Sequence, residues 1–259
     1  IFIKMKIKVI ASGSKGNSTL VISNNTKILI DVGVNYKRIK DTLDKIDIDI
    51  NTLDGVLITH THSDHIGGLS SLIKKVDIPV FIKEELYSEI KKIIPSENIV
   101  IIEDNSIVIN DLDIDIFSIS HDVAAYAFVI KDNDIKMLYL TDSGYINRKY
   151  YEKFNNLDIY LIEANHDEKM LMEGPYPYIL KQRVISDKGH LSNRYTGKFL
   201  NKVIGDKTKF ILLAHLSENN NTVDLALMQV CDELKDNKYL KNIKILDAKQ
   251  HIDTELVEV

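Results

Sequence analysis

Four residues of the kinds that bind metal ions, His60, His121, Asp142 and His215, each stand immediately after an apolar, strand-like run. The runs are Gly55 to Thr59, Leu112 to Ser120, Ile135 to Thr141 and Lys209 to Ala214. Imidazole and carboxylate groups are poor packing material, so a hydrophobic core does not call for them at four strand ends. A fold in which strand ends converge on one edge accounts for the regularity, and that edge becomes the expected site.

The rest of the chain alternates in a way that fits such a fold. Lys6 to Ala11, Ser18 to Ile22 and Lys27 to Asp31 read as strands, with Asn24-Asn25 as a tight turn between the last two. Tyr36 to Ile46 carries Ile39, Leu43 and Ile46 at helical spacing. Ile66 to Val76 and Glu84 to Ile94 are expected as helices around a strand at Pro79 to Ile82. Short strands fill Ile99 to Tyr139, and a further strand is expected at Asp158 to Glu163. Asn193 to Ile204 and Thr222 to Lys235 read as helices. No linker-like stretch interrupts the 259 residues and no short repeat appears, so a single domain over 1–259 is expected.

Composition narrows the class. With 44% hydrophobic and 27% charged residues the chain reads as a soluble globular protein. The longest apolar stretch, around Phe210 to Leu213, falls far short of a bilayer span, so no membrane association is expected. The single cysteine, Cys231, allows no intrachain disulfide and lies at helical spacing from Leu227 and Leu234; it suits a core position and a cytoplasmic protein. Ile1 to Lys4, ahead of Met5, read as a short upstream extension rather than a signal peptide. The net charge of −5 is mild and leaves room for a local basic surface.

The densest signal is His60-Thr61-His62-Ser63-Asp64-His65. It supplies four candidate ligands in six residues, and these donor types suit zinc and similar ions, with room for water. On an ideal helix His62 would point away from His60 and Asp64, whereas a loop leaving a strand lets all four turn inward. Gly67-Gly68 follows and allows a close backbone approach.

These residues resemble the signature of the metallo-β-lactamase superfamily, which implies an α/β (α+β) fold, a four-layer αββα sandwich. His121, Asp142 in Leu140-Thr141-Asp142-Ser143-Gly144, and His215 in Leu213-Ala214-His215 resemble its later ligand motifs. The resemblance implies two divalent metal ions: His60, His62 and His121 on one, Asp64, His65 and His215 on the other, and Asp142 bridging. Zinc, manganese and iron all accept these donors. Further stretches are similar to the YycJ (WalJ) family: Ala11-Ser12-Gly13-Ser14-Lys15-Gly16-Asn17-Ser18, Glu163-Ala164-Asn165-His166-Asp167, Tyr176-Pro177-Tyr178 through Arg183, and Gly189-His190-Leu191-Ser192-Asn193. The match runs from about Met5 to about Leu234, and the tail beyond carries no motif. That family implies a cytoplasmic nuclease-like hydrolase acting 5′→3′ on DNA.

Residues around the ligand set receive expected roles. The superfamily's phosphodiesterases use an extra histidine to protonate the leaving oxygen, and His190 fits because an imidazole titrates near neutrality. A competing assignment makes His190 the seventh ligand in place of His215; the strand-end position of His215 favours His215. Asp64 is expected to hold metal and to orient the nucleophile. Glu163 is a candidate to orient a ligand or the acid, and His166 to support the site or touch substrate. The Gly13 to Asn17 loop, with Ser14 and Asn17, is a candidate phosphate cradle. Between Lys181 and Lys209 eight cations face two acids, so Arg183, Lys188 and Arg194, with Asn193, are expected to contact a nucleic-acid backbone. The expected activity is phosphodiester hydrolysis, with DNA as partner. A thioesterase- or lactonase-like hydrolase and a silent metal-binding scaffold are the alternatives, since the ligands alone do not select the substrate.

Overall fold

A computed structural model describes residues 5–259; the expectation for Ile1 to Lys4 lies outside them. The chain divides into two compact units, one running to Ile116 and resuming from Lys249 to Val259, the other running from Phe117 to Ala248. Elements are numbered in chain order.

The first unit begins with β1 (Lys6–Ala11), β2 (Ser18–Ile22), β3 (Lys27–Ile30), α1 (Tyr36–Asp44) and β4 (Gly55–Leu57). It continues through α2 (Ser63–Ile66), α3 (Leu69–Ile73), β5 (Val80–Lys83), α4 (Tyr87–Ile90), β6 (Ile99–Ile102), β7 (Ser106–Ile109) and the first part of β8 (Leu112–Ile119), which runs on into the second. β1, β2 and β3 pair antiparallel, then β3, β4, β5 and β6 run parallel. Strands β1 to β4 are buried almost throughout, which is why they read as near-continuous apolar runs rather than alternating ones. Asn24-Asn25 does form the turn between β2 and β3, tied down by the Asp111 carboxylate on the Ser23 hydroxyl (2.5 Å) and the Asn25 N–H (2.9 Å).

The helix expected over Ile66 to Val76 is instead two short pieces, α2 and α3, separated at Gly67-Gly68. The cause is a close crossing of backbones. A Cβ at Gly68 would stand 1.8 Å from the Val34 carbonyl oxygen, and one at Gly33 would stand 1.7 Å from the Asp64 carbonyl oxygen. Only glycine tolerates that approach. The expected helix over Glu84 to Ile94 shrinks to a 3₁₀ turn and the single-turn α4.

The second unit holds β9 (Ala125–Asp132), β10 (Ile135–Leu140), β11 (Ile159–Glu163), α5 (Glu168–Glu173) and α6 (Tyr178–Ile185). α7 (Asn193–Val203), β12 (Phe210–Ala214), α8 (Val223–Leu234) and β13 (Lys244–Asp247) follow. β10, β11, β12 and β13 are parallel neighbours, and β9 pairs antiparallel with β10 through the turn at Asn133. α7 and α8 pack on this sheet, with Phe199, Leu200, Val230 and Leu234 meeting Leu138, Ile162 and Leu213 in one core. Gly197 lets the two helices close up, since its Cβ would lie 2.7 Å from that of Glu233. Ser192 caps α7 by accepting from the Tyr195 N–H, and Thr222 caps α8 in the same way from Leu225.

The tail that carried no motif has a structural use. It supplies β13, and then β14 (Val257–Glu258), which pairs with β1 in the first unit.

Candidate metal centre

In the first unit β3 and β4 are parallel neighbours, so their C-terminal ends emerge side by side. Asp31 follows β3 with φ 59°, a left-handed backbone that a non-glycine residue adopts at a cost. That twist turns its fully buried carboxylate under the histidine cluster. Asp31 accepts from the Thr59 N–H and from the Thr59 hydroxyl, each at 2.8 Å, and lies 2.7 Å from His65 Nδ1. Burial pushes the Asp31 carboxyl above its ordinary range, although His65 and Thr59 pull it back down. The Thr59 hydroxyl also lies 3.0 Å from His60 Nδ1. The His60 and His65 rings are 4.0 Å apart, and those of His60 and His62 4.8 Å apart.

The motif is not all loop, as the inward-turning expectation had it. His62 caps α2, and Asp64 and His65 lie within that single turn of helix. Asn17 reaches the same group: its side-chain amide lies 2.9 Å from His65 Nε2 and 3.3 Å from Asp64 Oδ2.

The Gly13 to Asn17 loop is therefore not the open phosphate cradle that was expected. The N–H of Gly13 is taken by the Asn17 side chain, that of Lys15 by Gln250, that of Gly16 by the Gly13 carbonyl, and that of Asn17 by the Asp64 carbonyl. Asn17 is 1% exposed and supports Asp64 and His65 instead of facing substrate. Ser14 is exposed at the loop tip.

In the second unit Asp142 and His215 follow β10 and β12 with φ 58° and 54°. They share the left-handed strand-end geometry of Asp31. Glu163, the last residue of β11, lies between these strands and is fully buried. Its Oε1 lies 2.7 Å from His190 Nδ1 and 3.0 Å from His215 Nδ1. Its Oε2 accepts from the Ser143 and Leu191 N–H groups, both at 3.1 Å. Asp142 Oδ1 stands 3.5 Å from His215 Nε2 and 3.6 Å from His190 Nδ1. Candidate ligand atoms of Asp142, Glu163, His190 and His215 all fall within 4.8 Å of one another. His121 is buried, with its ring 5.6 Å from that of His190.

The charges are organised around Glu163. Burial alone would raise its pKa, but His190, with hydrogen bonds from both imidazoles, holds it at about 2. The reciprocal effect raises His190, Glu163 outweighing the opposing effect of burial. His121 is lowered, by burial first, against the pull of Asp142.

Both half-sets fit divalent cations. Histidine ligands ordinarily donate their second ring nitrogen to a carboxylate, which sets tautomer and orientation. Asp31 serves His65 in this way and Glu163 serves His215, which leaves Nε2 of each as the candidate ligand atom; that of His65 is held by the Asn17 amide at 2.9 Å, a contact a cation would have to displace.

The other expected site residues are scattered. His166 is 2% exposed, bridges to Ser192, and lines a cavity of about 410 Å³ with His190 and Glu168. Burial lowers its pKa to about 4. Asn193 is not a substrate contact but a fully buried clamp, bonded to Asn221 (2.9 Å) and Gln229 (3.0 Å). Arg183 pairs with Asp122, and Arg194 lies 3.6 Å from Glu233. Lys188 is exposed. Asp31 was missed as a site residue, although it ends an apolar strand as the candidate ligands do.

Comparisons with known proteins bear on the family and the fold. The family profile described as "Beta-lactamase superfamily domain" matches residues 26–215. The chain is 35% identical over 239 residues to a protein of Bacillus anthracis named "Exodeoxyribonuclease YycJ", covering 90% of each. It is 36% identical over 267 residues to "Exodeoxyribonuclease WalJ" of Streptococcus pneumoniae, covering 99% of each. The metallo-β-lactamase fold protein YhfI from Bacillus subtilis superposes with a TM-score of 0.74 at 18% identity, over 97% of this chain and 99% of that one.

Proposed function

The chain belongs to the metallo-β-lactamase superfamily and, within it, to the family of the YycJ and WalJ exodeoxyribonucleases, and from that premise we propose that it is a two-metal phosphodiesterase that removes nucleotides from DNA in the 5′→3′ direction. The observation that carries the proposal is the division of labour at Glu163. One carboxylate orients two histidines of different exposure: His215, buried beside Asp142, and His190, which opens on a cavity.

His60, His62 and His121 would hold one cation, and Asp64, His65 and His215 the other, with Asp142 shared, as the family pattern assigns them. The cations, zinc or manganese by donor chemistry, would make water acidic enough to attack at neutral pH and would offset phosphoryl charge.

The chain's own residues then act as follows. Asp31 and Glu163 keep His65 and His215 in the tautomer that presents Nε2. Asp64 and Asp142 orient the attacking water. As the oxygen of that water, which has released one proton to solvent, bonds to phosphorus, the P–O3′ bond breaks, and His190 gives its proton to O3′. A 3′-hydroxyl leaves on the released nucleotide, and the remaining strand keeps a 5′-phosphate. Glu163 keeps His190 charged for that transfer.

Arg183, Lys188 and Arg194 would add backbone contacts. The proposed location is the cytoplasm; a chain with one cysteine suits that compartment, and no helix among the described residues is long and apolar enough to cross a membrane.

The test is hydrolysis of end-labelled DNA and RNA across a metal series, with Asp142→Ala as control. Release of mononucleotides from the 5′ end of DNA, lost in the control, is expected. No release with zinc or manganese at loaded sites refutes the proposal.

A further inference from the structure

The second unit contains a cavity of about 540 Å³ that the proposed chemistry does not use. Its size lies within the roughly 300–1,000 Å³ typical of small-molecule sites. Three cations line it, Arg148, Lys198 and Lys202, together with Tyr145, Tyr151 and Tyr195; no carboxylate does.

The bland alternative is a solvated face of α7. Two observations weigh against it. First, neighbouring cations find carboxylates: Arg194 faces Glu233, and Lys209 lies 3.6 Å from Asp158. Arg148, Lys198 and Lys202 have no ion-pair partner among the described residues, so three uncompensated charges converge on one concavity in a chain of net charge −5. Concave like-charged surfaces concentrate anions. Second, the cations are interleaved with fixed aromatic rings. Tyr195, Lys198 and Lys202 recur at helical spacing and so share one face of α7. The Tyr195 hydroxyl accepts from the Ile146 N–H at 3.1 Å, and the Tyr151 ring meets Phe199 edge-on at 5.2 Å. Tyr145 lines the cavity and remains 38% exposed. Unpaired cations beside an exposed ring are what a nucleotide requires: phosphate for the charges, base for the ring.

Position supplies the rest. This cavity adjoins the one lined by His190, His166 and Ser192, because Tyr195 and Lys198 form walls of both. When P–O3′ breaks, the atom that takes the proton from His190 belongs to the nucleotide on the 5′ side of the scissile bond. The pocket next to His190 is therefore on that nucleotide's side. We propose that the cavity lined by Arg148, Lys198, Lys202 and Tyr145 is a subsite for the 5′-terminal nucleotide of the strand, binding its terminal 5′-phosphate through the three cations and its base on Tyr145. This rests on the phosphodiesterase reading only for the identity of the strand end, not for the existence of an anion site.

The test uses the full chain and 3′-fluorescein oligothymidylates ending in a 5′-phosphate or a 5′-hydroxyl. Binding is followed by fluorescence anisotropy in a chelator, so that no strand is consumed. The 5′-phosphorylated strand should bind roughly tenfold tighter or more, as expected of charge-assisted hydrogen bonds to phosphate. In R148A/K202A, and separately in K202E, that preference should fall below about twofold. Both residues are exposed, and thermal unfolding checks that the variants are folded. With metal restored, both variants should hydrolyse bis(p-nitrophenyl) phosphate like the parent, because that diester has no terminal phosphate to place. Equal affinity for the two strands in the parent, no binding of either, or a preference that survives in both variants overturns the subsite. If the parent hydrolyses no diester, the nuclease reading fails by itself, and the anisotropy comparison still decides the subsite.

Discussion

Glu163 and His190 form an ion pair within the second unit, with Oε1 2.7 Å from Nδ1 and the carboxylate fully buried. The same oxygen reaches His215, so one side chain sets the orientation of a candidate ligand and of the candidate acid. A buried carboxylate with so many partners is costly to disturb, and its neighbours should respond differently to its loss.

His190→Ala tests the acid role through the leaving group. Activity on DNA should fall by about 10²–10⁴-fold, because an alkoxide leaves poorly without a proton. On bis(p-nitrophenyl) phosphate, whose phenolate departs unprotonated, the loss should be far smaller. Steady-state rates on both substrates check this, with metal content measured alongside. A loss of bound metal would instead make His190 a ligand.

Asp31→Asn removes the charge behind His65 while keeping its shape. Metal affinity should weaken by about 10–100-fold, the usual effect of losing a carboxylate behind a ligating imidazole. Elemental analysis after dialysis against graded chelator gives the answer. Unchanged metal content and activity would show that His65 needs no such partner.

Asp253 anchors the C-terminal tail by pairing with Lys8 (2.9 Å) and Lys45 (2.7 Å). Burial would raise its pKa, but hydrogen bonds from Lys45 and Lys8 hold it at about 2. Because the folded pKa is depressed, the stabilisation is fully present above the ordinary value near 4 and fades as pH falls towards 2. Asp253→Ala leaves Lys8, whose side chain is 6% exposed, without this carboxylate, at a cost of about 2 kcal/mol at pH 7 after allowing for the solvent-facing side of the pair. The gap between the urea midpoints of parent and variant should hold from pH 7 to about pH 4 and close as pH falls from there towards 2; a gap that persists at pH 2 would contradict the assignment.

We propose that the chain folds as one domain, because the first unit is built from both ends of the sequence and the boundary falls inside β8. Calorimetric and van't Hoff enthalpies of unfolding should then agree. Two separated transitions would mean independent domains.

How much of this was legible beforehand depended on the range of the interactions involved. The strands ending in His121, Asp142 and His215 were readable because apolar runs with a polar stop are local patterns, and the turn at Asn24-Asn25 was readable for the same reason. The break at Gly67-Gly68 was not, because it answers to the Val34 carbonyl more than thirty residues away. The Gly13 to Asn17 loop looked open for a similar reason: the group that closes on Lys15, Gln250, comes from the far end of the chain. β14 is two residues long and has no periodicity to read.

The sequence by itself determined the family and the inventory of candidate ligands, since donor types at strand ends are a property of local order in the chain. Tertiary structure alone decided which carboxylates stand behind which imidazoles: Asp31 for His65, Glu163 for His215 and His190. It also converted Asn17 and Asn193 from expected substrate contacts into buried supports. Hydrogen-bond partners are chosen by proximity in space and by the cost of leaving buried polar atoms unsatisfied. Neither is written in the order of residues.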